Sequence, residues 1–238
     1  MTPLLEARGL SAGYGGASVV RDLDLKVSAG EIVAILGPNG AGKTTTMLTL
    51  AGDLRPLAGE VRLNGEVTTA PLHRRARGGI ALVTEERSVT MGLTVKQNIR
   101  LARAKVEPVV ALFPELEALL NRRAGLLSGG EQQMLTLGRA LSSPSVQVLL
   151  ADELSLGLAP KAVGRLLRAV RAAADQGIGV LLVEQHVHRV LEIADRVIVL
   201  SHGSVDYRGN AAEARGRLQE IQASYFGSSD GPPSCHAV

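Results

Sequence analysis

The chain has 238 residues, 45% of them hydrophobic and 21% charged, a balance that excludes disorder over most of its length and suits one large domain or two small lobes. A net charge of +3 is too small to argue for nucleic acid, and the single cysteine, Cys235, excludes an internal disulfide and suits a reducing cytoplasm. No stretch approaches the roughly 20 apolar residues that cross a bilayer, and no basic start leads into an apolar run, so neither a membrane span nor a signal peptide is expected.

Residues 4–10 and 19–27 alternate in part and predict strands, followed by a turn at Ser28-Ala29-Gly30. Residues 31–36 form a short apolar run that stops at Gly37, as a buried strand feeding a loop should. A helix is predicted from Lys43 to about Ala51. Residues 60–67 hold the turn pair Asn64-Gly65 of a hairpin, and residues 80–83 predict another short buried strand. The basic run His73-Arg74-Arg75-Ala76-Arg77 reads as a solvated helix face. Residues 94–120 are rich in helix formers interrupted at Pro108 and Pro114, which predicts a small helical lobe. Gly129-Gly130 opens a helix that runs to about Ser142. Residues 146–151, 160–176, 180–183, 188–194 and 196–200 then alternate strand and helix, which predicts a mostly parallel sheet covered on both faces. Residues 228–238, rich in Ser, Gly and Pro, predict a disordered tail.

Gly37-Pro38-Asn39-Gly40-Ala41-Gly42-Lys43-Thr44 fits the P-loop pattern of Gly, four residues, Gly, Lys, Thr. Its glycines let the backbone curl so that successive N–H groups point at phosphate oxygens. The helix that follows turns its positive end to the same anion. Lys43 adds a full charge near the β and γ phosphates, and Thr44 supplies a hydroxyl for Mg²⁺.

Val148-Leu149-Leu150-Ala151-Asp152-Glu153 is a buried strand that ends in two carboxylates. Beside a phosphate loop, Asp152 would hold Mg²⁺ through water. Glu153 would orient and polarise the attacking water at the carboxyl edge of the sheet, where ligands of open α/β sheets bind. The competing reading makes the two acids an N-cap for the next helix.

Leu127-Ser128-Gly129-Gly130-Glu131-Gln132-Gln133 resembles the LSGGQ signature of ABC ATPases, with Glu131 in the usual Gln position. The order P-loop, signature, carboxylate strand is similar to that family from about residue 4 to residue 227. The resemblance implies an α/β fold: a P-loop NTPase with a mostly parallel core sheet, an antiparallel β subdomain and a small helical subdomain at about 90–142, all within residues 1–227. It implies ATP and Mg²⁺ as cofactors. Gly37, Pro38, Asn39, Gly40, Ala41, Gly42, Lys43, Thr44 and Thr45 would bind the ATP, and Thr44 and Asp152 the metal. Ser128, Gly129, Gly130 and Glu131 form a second anion cradle, which one chain does not need; the resemblance implies that it acts on the ATP of a facing protomer. Tyr14, in Ala12-Gly13-Tyr14-Gly15, stands where the family stacks an aromatic ring on adenine, and a surface-loop tyrosine is the alternative.

Several positions depart from the common pattern. Thr84-Glu85-Glu86-Arg87 puts Glu85 where most members have a Gln that meets Mg²⁺ and water, so Glu85 joins the expected metal site. Leu154 takes the place of a usual Pro, and Ala159 that of a frequent Asp. The strand run 180–183 leads into Glu184-Gln185-His186. Counting along it puts Gln185 at the position of the γ-phosphate switch, with His186, one residue later and facing the other way, as a substitute. Glu85, Ser155-Leu156-Gly157-Leu158-Ala159-Pro160, Val183-Glu184-Gln185 and the ending Ser224-Tyr225-Phe226-Gly227 together resemble one ATPase subunit of branched-chain amino-acid importers and their urea or amide relatives. Thr84, Glu86 and Leu154 do not follow that subunit.

The resemblance implies an ATPase at the cytoplasmic face of the cell membrane, peripheral to it. Its partners would be transmembrane permease subunits, a second ATPase subunit (a copy or, as the resemblance favours, a related chain) and, indirectly, a periplasmic or extracellular solute-binding protein. No nucleic acid is expected. Two alternatives differ in class: a soluble ABC protein acting on nucleic acid or ribosomes, and an ATP-binding switch whose altered positions weaken hydrolysis.

Overall fold

The computed structural model describes residues 2–86, 88–184 and 187–217. Ten strands run in chain order as β1 (Leu5–Tyr14), β2 (Ala17–Val27), β3 (Ile32–Leu36), β4 (Ala58–Leu63), β5 (Glu66–Val67), β6 (Ile80–Val83), β7 (Val148–Asp152), β8 (Gly179–Val183), β9 (Arg196–Ser201) and β10 (Ser204–Asn210) among the described residues. The helices there are α1 (Lys43–Ala51), α2 (Leu72–Arg77), α3 (Val95–Leu101), α4 (Val106–Leu112), α5 (Gly129–Leu141), α6 (Pro160–Asp175), α7 (Val187–Ile193) and α8 (Ala211–Gly216). Two 3₁₀ turns, Pro114–Leu119 and Ala124–Leu126, lie between α4 and α5.

A strand buried on both faces has no use for alternation, and every residue of β3, β7 and β8 is buried. These strands sit in a sheet of order β10-β9-β3-β8-β7-β6, parallel except for β10. Ile32, Ala34 and Leu36 face a core shared with Leu135 of α5, Leu166 of α6 and Leu191 of α7. Val33 and Ile35 face a second core with Met47 and Leu50 of α1 and the inner side of β1 and β2. A second, antiparallel sheet of order β2-β1-β4-β5 closes that side, so α1 lies between two sheets and is buried nearly all round. Its two fully buried threonines donate to backbone carbonyls one turn back: Thr46 Oγ1 to Gly42 O at 2.9 Å and Thr49 Oγ1 to Thr45 O at 2.8 Å.

The β4–β5 turn follows from sequence: Asn64 and Gly65 both have positive φ, 52° and 85°, and Leu63 pairs with Glu66 as in a type I′ hairpin. Three local findings differ from expectation. Pro108 does not interrupt a helix; it occupies the first turn of α4, where its missing N–H leaves no bond unmade. The basic run at 73–77 is only partly solvated. Arg75 is 2% exposed, and its guanidinium donates to the carbonyls of Thr49, Leu50, Thr68 and Ala70 at 2.7–3.2 Å, two of which lie in the last turn of α1. A cation there also complements the negative end of the α1 dipole. Third, β10 and α8 extend the chain beyond the last expected strand. The strand pairs antiparallel with β9 through a two-residue turn at His202-Gly203, both with positive φ.

Candidate active site

Strand β3 ends at Leu36, and the chain then closes a loop in front of α1. Two glycines are required there. A Cβ on Gly37 would lie 2.2 Å from Leu200 O, and one on Gly42 would lie 2.4 Å from Val20 Cγ2, with φ of 154° and 99°. Gly42 is also the N-cap of α1, and no side chain caps the helix. The first-turn N–H groups therefore present an anion site with the helix dipole behind it. Lys43 Nζ donates to Gly37 O and Pro38 O, both at 2.9 Å, folding the ammonium over the loop. Burial pushes this ammonium below its ordinary pKa, while the carboxylates of Glu153, Asp152 and Glu184 oppose that shift.

Asp152 is the last residue of β7 and is 3% exposed. Its Oδ2 accepts from Thr44 Oγ1 at 2.8 Å, and its buried Oδ1 has no hydrogen-bond partner. Burial raises the carboxyl above its ordinary pKa; the Thr44 hydrogen bond works against this, Glu153 adds to it, Lys43 lowers it and Glu85 adds to it. An unpartnered carboxylate oxygen next to a threonine hydroxyl is a set of hard oxygen donors, which fits Mg²⁺. That ion fills most of its octahedron with waters and substrate phosphates and needs few protein ligands. The absence of any group of three or more His, Cys, Asp or Glu among the described residues is compatible with such a site.

Glu153 follows at the sheet's carboxyl edge with φ 46°, in the left-handed region, and its N–H donates to Val183 O at 2.9 Å. Leu154 is buried, and Ser155 donates to the carboxylate of Glu184 twice, from N to Oε1 at 3.0 Å and from Oγ to Oε2 at 2.8 Å. The reading of the two acids as an N-cap does not hold. The N-cap of α6 is Ala159, which makes no side-chain cap.

A cavity of about 490 Å³ opens over these groups. Asn39, Gly40, Gly42, Lys43, Thr44 and Thr45 supply one wall, Glu85 and Glu153 supply carboxylates, and Val19 and Leu156 complete the lining. The fold thus brings Glu85 and Glu153, 68 residues apart, to one space with the phosphate loop. Val19 carries no sequence signal, since an apolar strand residue in a hairpin reads as core. Tyr14 does not line the cavity; it is 52% exposed at the end of β1. Gln185, His186 and the tail at 228–238 lie outside the described residues.

Ser128 and its neighbours form a separate structure. Ser128 is the N-cap of α5, its Oγ accepts from Glu131 N at 3.4 Å, and Glu131 Oε2 accepts from Ser128 N at 2.7 Å. This reciprocal box sets the start of the helix and leaves Gly129 and Gly130 in its first turn. None of Ser128, Gly129, Gly130 or Glu131 lines the cavity of its own chain.

A family model described as ABC transporter matches residues 20–155. The chain is 38% identical over 206 residues to the high-affinity branched-chain amino acid transport ATP-binding protein BraG of Pseudomonas aeruginosa, covering 82% of this chain and 88% of the relative. It is 36% identical over 224 residues to the lipopolysaccharide export system ATP-binding protein LptB of Acidithiobacillus ferridurans, covering 90% and 92%. A solved structure of the ATP-binding subunit of an ABC transporter superposes with a TM-score of 0.80 at 27% identity, covering 94% of this chain and 99% of that one.

Proposed function

As the chain belongs to the ABC transporter family, and is one of its ATP-hydrolysing subunits, we propose that it powers the import of branched-chain amino acids through separate permease subunits. The observation that carries the reading is the meeting of Lys43, Thr44 and Glu153 at one cavity, with Asp152 bonded to the Thr44 hydroxyl, beside a helix start that no side chain caps.

ATP is the substrate. The backbone N–H groups between residues 39 and 45 bind its phosphates, with Lys43 supplying charge at the β and γ positions. Thr44 and Asp152, with Glu85 lining the same cavity as Thr44, would hold Mg²⁺, which when bound neutralises phosphate oxygens. Glu153 accepts a hydrogen bond from the attacking water and orients it in line with the leaving oxygen. Phosphoryl transfer asks for positioning and charge and for little covalent chemistry, which is what these side chains provide. Gln185, or His186 in its stead, senses the γ-phosphate, and exposed Tyr14 offers its ring to adenine.

Ser128, Gly129 and Gly130 act on the nucleotide of a facing ATPase subunit, because their cradle lies away from the cavity of their own chain. Two such subunits close head to tail over two ATP molecules and reopen after hydrolysis. The motion passes to the permease through the helical lobe and the Glu85 loop. The chain sits peripherally at the cytoplasmic face, and among the described residues no helix is long and apolar enough to cross a membrane.

The BraG likeness supports a branched-chain amino acid as cargo, together with Ser155-Leu156-Gly157-Leu158-Ala159-Pro160 and Val183-Glu184-Gln185. An outer solute-binding protein would then deliver the cargo. The LptB likeness supports a second reading, in which the cargo is a lipopolysaccharide and is exported. Reconstitution of the chain with its permease subunits in vesicles separates the two. ATP-dependent movement of leucine, isoleucine or valine, abolished by Glu153→Gln, is expected. ATP turnover with no amino-acid movement would overturn the cargo.

A further inference from the structure

We infer that Glu184 is a positioning residue for hydrolysis: through Ser155 it fixes the turn that carries Glu153. The inference rests on the reading of Glu153 as the residue that orients water. Glu184 is 1% exposed, one residue past β8, and a buried carboxylate is costly unless strong donors hold it. Both polar donors of Ser155 do so, the N–H at 3.0 Å and the hydroxyl at 2.8 Å, one to each carboxylate oxygen.

The turn held in this way is one that would not hold itself. Glu153 has φ 46°, a conformation that a residue with a Cβ keeps only when its surroundings impose it. Ahead of it, Glu153 N is fixed by Val183 O of β8; behind it, Leu156 N donates to Glu153 O at 3.2 Å. Between these, Ser155 is clamped by Glu184, which is the residue after Val183. The same short stretch of chain therefore grips the turn at both ends. Glu184 N also donates to Ile35 O at 3.3 Å, in the strand that leads into the phosphate loop. Glu184 thus ties the carboxylate turn to the strand end from which the nucleotide loop springs, without lining the cavity itself.

A positioning role predicts a defect in turnover and not in ATP affinity, and a defect that runs through Ser155. ATPase kinetics and fluorescent-nucleotide binding are measured for Glu184→Ala, Ser155→Ala, the double variant and Glu184→Gln. Glu184→Ala lowers kcat about tenfold with KM for ATP within about twofold, and the double variant is no worse than Glu184→Ala alone. Glu184→Gln restores kcat to within about threefold, because its carbonyl oxygen accepts from Ser155 N–H and its amide donates to the hydroxyl oxygen. Unchanged kcat in Glu184→Ala, equal losses in kcat and affinity, multiplying losses in the double variant, or no rescue by Gln would each overturn the inference. Should Glu184→Ala fail to fold, Ser155→Ala decides: a kcat loss at constant KM is expected, and full activity overturns the proposal. Glu153→Gln in the same series keeps the two readings apart. Normal hydrolysis by that variant sinks the role of Glu153, whereas an inactive Glu153→Gln beside a fully active Glu184→Ala sinks only the role of Glu184.

Discussion

The Thr44 hydroxyl donates to Asp152 Oδ2 across 2.8 Å, joining the first turn of α1 to the end of β7 over 108 residues of sequence. The bond occupies one carboxylate oxygen and leaves the other buried and unpartnered, so the pair is built around something more than each other.

Asp152→Asn is expected to weaken the apparent affinity for Mg²⁺ by about tenfold or more, read from the Mg²⁺ dependence of ATP turnover. It should not destabilise the nucleotide-free chain at neutral pH. Burial raises the Asp152 pKa in the folded state, so the fold binds this proton more tightly than the unfolded chain. The carboxyl therefore favours folding most below its unfolded pKa, and that advantage is lost as pH rises through the raised folded value. Asn escapes the loss, and chemical denaturation should show its relative stability rising from acid to neutral pH.

Arg75→Ala should cost about 3 kcal/mol or more of stability, because it leaves buried carbonyls at the end of α1 without a donor. Arg75→Lys should recover little, since an ammonium does not reproduce the fork that reaches four carbonyls. Denaturant unfolding checks both, with kcat per folded molecule unchanged.

The signature serine acts across subunits in this account. Ser128→Ala should leave ATP affinity of the isolated chain unchanged and lower turnover of the assembled transporter about tenfold. Nucleotide titration of the single chain beside phosphate release by the complex distinguishes this from a local folding defect, which would lower both.

The site's core was legible because it is contiguous: residues 37–44 are a loop whose chemistry needs neighbours in sequence, and the two carboxylates end a run of buried residues. The parallel sheet was legible for a related reason, since unbroken apolar runs announce strands covered on both faces. What stayed hidden depends on distant partners. Arg75 looks like its exposed neighbours Arg74 and Arg77 until α1 packs its last turn over it. Glu184 and Ser155 meet across 29 residues, and neither belongs to a motif that names the contact. Strand β10 alternates exposed and half-buried residues at a sheet edge and carries too few apolar side chains to signal itself.

The most direct test of the account is ATP occupancy and phosphate release measured side by side on Glu153→Gln in the assembled complex. ATP affinity within about threefold of the unmodified protein is expected, with phosphate release reduced by about a hundredfold or more. Phosphate release at the unmodified rate would contradict it.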